Sequence, residues 1–144
     1  MRAATPDSLR PDPTWLEPEG STLSPDRRVR LLPAGVLWDA LQVPEARALP
    51  VLHRLLADEH DRALLGPVLR DERTKQVHWL VSPGHTATWP DGCRLLTSGW
   101  LAVPGQHCKR LSWLHLPEPG ILTGAPWLAA AFHDSSSAAV GGIR

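Results

Sequence analysis

Fifteen prolines and eleven glycines cut this chain of 144 residues into short apolar runs. Proline fixes φ and removes a backbone donor, and glycine relaxes the backbone, so each marks where a regular element ends. Val29 to Leu32 is a short extended run that stops before Pro33. Gly35 to Val43 reads as a strand: it is apolar, carries β-branched and aromatic residues, and lies between Gly35 and Pro44. Pro44 suits the first position of a helix, with Glu45 favourable to its dipole. Leu49, Leu52, Leu55 and Leu56 keep helical spacing to about Asp58, and Pro50 predicts a break or restart near Ala48. Beyond Gly66 come strands at Val68 to Arg70 and Gln76 to Ser82 around a hairpin turn, Asp71 to Lys75. Pro83 and Gly84 close the second of these, and a loop around Trp89 follows. Cys93 to Thr97 and Trp100 to Val103 flank Ser98-Gly99, which reads as a tight hairpin turn. Arg110 to Leu116 is a further strand. Leu122 to Phe132 is a final helix, with Thr123 as its cap and Pro126 in its first turn.

Strands outnumber helices and several are joined as hairpins. The expected class is α+β: a mixed, mostly antiparallel sheet with a few helices packed on it. The length suits one domain with one sizeable core. Residues 1–28 form an irregular Pro-rich arm that Trp15 and Leu16 pin to the body. Residues 29–134 form the α+β domain, and the small, Gly-rich segment 135–144 reads as a flexible tail. Prolines and charges interrupt the N-terminus, so no signal peptide is read there, and no window approaches the roughly eighteen apolar residues of a membrane span. The cytoplasm is the expected location, with both cysteines reduced.

Fifteen basic and fifteen acidic residues leave a formal net charge of zero. That excludes a strongly basic nucleic-acid binder as the account of the whole chain. The dense run Asp26-Arg27-Arg28-Val29-Arg30 reads as solvated surface. Asn and Tyr are absent, and Arg exceeds Lys thirteen to two. Residues with AT-rich codons are the scarce ones, which points to a GC-rich bacterial genome and weakens any argument from Arg over Lys.

The familiar catalytic signatures are missing: there is no G-x-S-x-G, P-loop or G-x-G-x-x-G. Seven histidines with Cys93 and Cys108 raise the question of zinc, but the cysteines are fifteen apart. His107 and Cys108 are adjacent, so on a strand they point to opposite faces. No metal site is assigned on that spacing. Cys93 reads instead as a small buried hydrophobe, and neither cysteine lies at a helix N-terminus that would activate a nucleophile. Of seven tryptophans, Trp38, Trp79, Trp100 and Trp113 fall in expected strands and read as core. A base-stacking platform needs aromatics beside cations. Lys75 with Trp79, and Arg110 with Trp113, are the candidates for nucleotide or DNA binding.

Three segments together resemble the N-terminal domain of the bifunctional DNA primase/polymerase family, and its small divergent actinobacterial members in particular. They are Gly35-Val36-Leu37-Trp38-Asp39-Ala40-Leu41-Gln42-Val43-Pro44 with the Leu-rich helix after it; Gly66-Pro67-Val68 with Val77-His78-Trp79-Leu80-Val81-Ser82-Pro83-Gly84; and Leu95 to Pro104 with Trp113-Leu114 and the Leu122 helix. The resemblance spans about residues 30 to 132. It implies two acids one residue apart on the first strand, holding the metal ions of a two-metal phosphoryl transfer. Asp39 matches the first and Leu41 stands at the second. It implies a histidine near the nucleotide phosphates, matched by His78. It implies a third acid where Cys93 or Arg94 stands, with Asp91 close but out of register. One carboxylate of three does not hold two divalent cations.

The expected function is therefore a catalytically degenerate primase/polymerase-like domain, a binding or regulatory module for a protein or nucleic-acid partner. No cofactor is expected, except magnesium or manganese if the ancestral site is retained. Asp39 and His78 are the candidate catalytic residues, and they would serve residual nucleotide or metal binding only if they share one pocket. A third reading is a small enzyme of bacterial specialised metabolism, with His85, His107 or Asp91 as acid/base groups in a deep pocket. An apolar sheet edge or exposed tryptophans would suit a homodimer.

Overall fold

The computed structural model describes residues 13–18, 23–26, 28–84, 86–105 and 108–143. Among the described residues, eight strands form two sheets. Strands β1 (Leu23–Asp26), β2 (Val29–Pro33) and β7 (Trp100–Pro104) make a three-stranded sheet in the order β1-β2-β7. Strands β3 (Asp39–Pro44), β4 (Val68–Asp71), β5 (Gln76–Val81), β6 (Arg94–Leu96) and β8 (Leu111–His115) make a five-stranded sheet in the order β6-β3-β5-β4-β8. Every named strand pair is antiparallel. The helices are α1 (Glu45–Ala57), α2 (Glu59–Leu64) and α3 (Ala125–Ile143), with a 3-10 turn at Pro13–Leu16. The class is α+β.

Three layers result, because side chains alternate across each strand. Leu41, Val43, Val77, Trp79 and Val81 point to one face of the five-stranded sheet, where they pack on Val51, Leu52 and Leu55 of α1 and Leu128 and Phe132 of α3. The Trp79 and Phe132 rings meet edge to face at 5.3 Å. Ala40, Leu69, Leu80 and Leu111 point to the other face, under Leu32, Leu101 and Val103 of the three-stranded sheet.

The sequence reading places most boundaries within a residue or two, and the differences have physical causes. The first long strand begins at Asp39, not Gly35, because residues 34–37 form a turn. Gly35 has φ +87°, and a Cβ there would lie 1.9 Å from the Thr97 carbonyl oxygen. Helix α1 runs unbroken through Pro50. An interior proline costs about 3 kcal/mol, but Ala48, Val51, Leu52 and Leu55 are all buried on the sheet, and each large apolar residue buried contributes about 1.5–3 kcal/mol. Burial outweighs the break. Ser98-Gly99 is not a hairpin: β6 pairs with β3, whereas β7 pairs with β2, so the segment crosses from one sheet to the other. Thr123 does not cap α3. Its Oγ1 accepts from the Gly66 N–H at 2.7 Å, and it forms a parallel bridge with Val81. Gly66 fits only because it lacks a Cβ, which would lie 2.6 Å from the Thr123 nitrogen.

The arm contributes to the body. Leu16 is fully buried, the Trp38 Nε1–H donates to its carbonyl at 2.8 Å, and Glu17 pairs with Arg30 of β2. Strand β1 extends the smaller sheet. Residues 1–12, 19–22 and 27 of the arm lie outside the described residues. Helix α3 continues past Asp134 to Ile143, through the segment read as a tail. Among the described residues, no helix is long and apolar enough to cross a membrane.

Candidate functional site

Strand register decides which candidates meet. His78 pairs with Gln42, and Asp39 with Val81, along the same β3–β5 ladder. Asp39 is three residues from Gln42, an odd offset, so Asp39 and His78 point to opposite faces. Asp39 shares the helix-facing side with Leu41 and Trp79, and His78 shares the other with Gln42, Ala40 and Leu80. The two do not share a pocket, so a joint nucleotide or metal site on them is not formed. Leu41, at the resemblance's second acid position, is fully buried among the helix-facing apolar residues. Among the described residues no group of three or more His, Cys, Asp or Glu is placed to hold a metal ion.

His78 floors a cleft of about 220 Å³. Gln42, Gln76, Asp71 and Thr74 line it with His78, and Leu96, Trp100, Leu101 and Ala102 wall it. The three-stranded sheet covers only part of the face beneath it. Its cover sits on Ala40, Leu80 and Leu69, and further along the same strands the polar Gln42, His78, Gln76 and Asp71 line the open cleft. Trp100, Leu101 and Ala102 are consecutive, and successive strand side chains point to opposite faces. They reach one cleft because β7 presents its edge to it. Among the described residues β7 pairs with β2 alone.

His78 is only 7% exposed, yet its Nδ1 has no hydrogen-bond partner among the described residues. An unmet buried polar atom costs about 1–3 kcal/mol. Burial pushes the His78 imidazole below its ordinary value of 6.5, and the nearby Asp71 carboxylate partly opposes this. The ring is therefore neutral at pH 7. Asp71 is held in place: its Oδ1 accepts from the Arg73 N–H at 3.0 Å and the Thr74 N–H at 3.4 Å, and lies 3.6 Å from Arg110 Nε. The cleft thus offers uncharged donors and acceptors from Gln42, Gln76 and His78 beside the half-exposed Trp100 indole.

The other candidates distribute around this frame. Trp79 is fully buried against Phe132, so it is a core residue, and no base can stack on it. Trp100, read as core, is 49% exposed. Lys75 lies exposed in the β4–β5 turn at φ 59°, next to Gln76. Arg110 reaches the cleft only through Asp71. Arg94 stands opposite Gln42 on β6 and is exposed. Asp91 is exposed, and its carbonyl accepts from Arg47. His85 and His107 lie outside the described residues. Cys93 packs on the helix-facing core and Cys108 on the inter-sheet core, so they do not form one site. Burial raises the Cys93 thiol above its ordinary value despite Arg47 nearby, which disfavours the reactive thiolate. Of the cleft residues, the sequence singles out His78; Gln42 and Gln76 carry no motif, and Trp100 reads there as core. The available signal was a glutamine inside the otherwise apolar run Ala40-Leu41-Gln42-Val43.

No family model matches the chain, and no curated protein and no solved structure matches it.

Proposed function

We propose that this domain is a binding module of primase/polymerase-like type that has given up the family's chemistry and holds a protein partner in the His78 cleft. The observation that carries the reading is His78 itself, a nine-tenths-buried neutral imidazole with an unpartnered nitrogen at the floor of an open cleft. Such an atom costs stability in the free domain and recovers it when a ligand supplies the missing hydrogen bond. Two further observations support a binding role. The acid positions implied by the resemblance hold Leu41 and Cys93 or Arg94, and the surviving Asp39 faces away from His78. Beside the Asp71 carboxylate, which faces Arg110, the floor offers the uncharged amide and imidazole groups of Gln42, Gln76 and His78.

Two measurements test this. Primed-template extension with magnesium or manganese is expected to give no product, and Asp39-dependent extension would overturn the reading. Titration with nucleoside triphosphates and manganese, followed by tryptophan fluorescence, is expected to leave Trp100 unperturbed. A saturable change abolished by His78→Ala would make the cleft a nucleotide site instead.

A further inference from the structure

The cleft's geometry specifies how a protein partner would enter it. We infer that the cleft binds an extended acidic peptide, which adds as a strand to the open edge of β7 and lies over Gln42, His78 and Gln76. The inference rests on the binding reading above and names the partner's chemistry.

Four observations carry it. First, β7 is an uncharged edge, Trp100-Leu101-Ala102-Val103-Pro104. Natural edges are usually blunted by charges, bulges or a covering segment; β7 has no charge along it, and β8 approaches it without pairing. Second, the cleft runs beside that edge. A partner strand would gain main-chain hydrogen bonds on one side and rest on the amide and imidazole groups of the floor, the mode of strand-addition recognition. Third, the exposed large apolar side chains among the described residues are Val36, Leu37, Leu64 and Trp100, and all but Leu64 gather at this end of the cleft. The Ala34 N–H donates to Gly99 O at 2.9 Å, and Pro33 pairs with Trp100, so the turn bearing Val36 and Leu37 sits beside the start of β7. Exposed aromatic and aliphatic residues in one patch mark an anchor for a partner's apolar side chain. Fourth, the rim is cationic. Arg73, Lys75 and Arg94 are exposed around the floor and outweigh Glu72, while Arg110 and Asp71 offset each other. A carboxylate-bearing segment is complementary to it.

A second copy of the chain fits less well. It would bring a cationic rim of its own against this one, and like charges repel.

The test selects a random peptide library on the intact protein, resynthesises the enriched peptides, and scans each with backbone N-methylation. Enriched peptides are expected to be acidic and proline-poor, to lose binding with His78→Ala and Trp100→Ala, and to weaken at higher salt. N-methylation at alternate positions is expected to weaken binding about tenfold or more, with the intervening positions tolerant. His78-dependent binding without this period of two would overturn strand addition and leave the binding reading standing. No His78-dependent enrichment would overturn both. A dimer in sedimentation equilibrium that Trp100→Ala dissociates would assign the edge to a second copy and overturn the peptide assignment.

Discussion

Replacing His78 with leucine separates a binding residue from a structural one. In the free domain His78 carries a buried nitrogen with no partner, at a cost of about 1–3 kcal/mol. Leucine has nearly the same volume and removes that atom. Its cross-strand neighbours are Leu69 on β4 and Gln42 on β3, so the new side chain meets apolar contact on one side. The expected gain is about 1–2 kcal/mol, which for a chain of this size is a rise in Tm of about 3–6 °C. The gain also depends on pH. The folded-state pKa of His78 is lowered by burial, so the unfolded chain takes up a proton there before the folded one does. Stability from this group is complete above its ordinary value of 6.5 and is lost as pH falls through 6.5 towards the folded value. His115 is lowered in the same direction by its own burial, but it is present in both proteins and cancels from their difference. The leucine variant's advantage should therefore widen from about pH 8 to about pH 5. Thermal melts of the two proteins across that range are the assay. A variant less stable by more than about 1 kcal/mol, or a gap that ignores pH, would show His78 to be a satisfied structural histidine. The cleft would then lose the observation on which its function rests.

Three other substitutions test the fold that positions the cleft. Gly35→Ala is expected to cost about 2 kcal/mol or more in denaturant titration, since φ is +87° and the new Cβ would meet the Thr97 carbonyl at 1.9 Å. Pro50→Ala is expected to stabilise α1 by about 2 kcal/mol, because it restores an N–H to the helix interior; an unchanged midpoint would show that proline carries no net cost at this position. Thr123→Val keeps the shape and removes the oxygen that accepts from the Gly66 N–H. It should cost about 1–3 kcal/mol with an unchanged m-value.

What the sequence makes legible is local. The β4–β5 hairpin can be read because its turn chemistry lies within a few residues, with Asp71 accepting from Arg73 and Thr74. Ser98-Gly99 carries an equally good turn signal, yet its flanking strands pair with β3 and β2, far away in the chain. Turn residues report a change of direction, not which strand lies next. Helix α1 shows the same limit, since the burial that outweighs Pro50 belongs to the sheet it packs on. In the candidate site, His78 is visible as a polar residue in an apolar strand. Its separation from Asp39 is not, because it turns on the parity of a register between strands more than thirty residues apart, and a slip of one residue would reverse it.

The polar floor is not a property of strand composition alone, because β5 is apolar on its other face. Along β5 the helix-facing side chains Val77, Trp79 and Val81 are apolar from end to end. The opposite face runs from Leu80 to His78 to Gln76, and on β3 it runs from Ala40 to Gln42, and on β4 from Leu69 to Asp71. The polar ends of these three strands are the ones that line the cleft. If water alone had drawn polar residues there, they would be wetted, and His78 would not be 93% removed from solvent with a nitrogen unmet. Leucine or valine at that position would extend the neighbouring core at lower cost. A buried imidazole kept at the boundary, beside an exposed tryptophan, is a cost to the free domain, and the proposed strand addition along β7 would recover it.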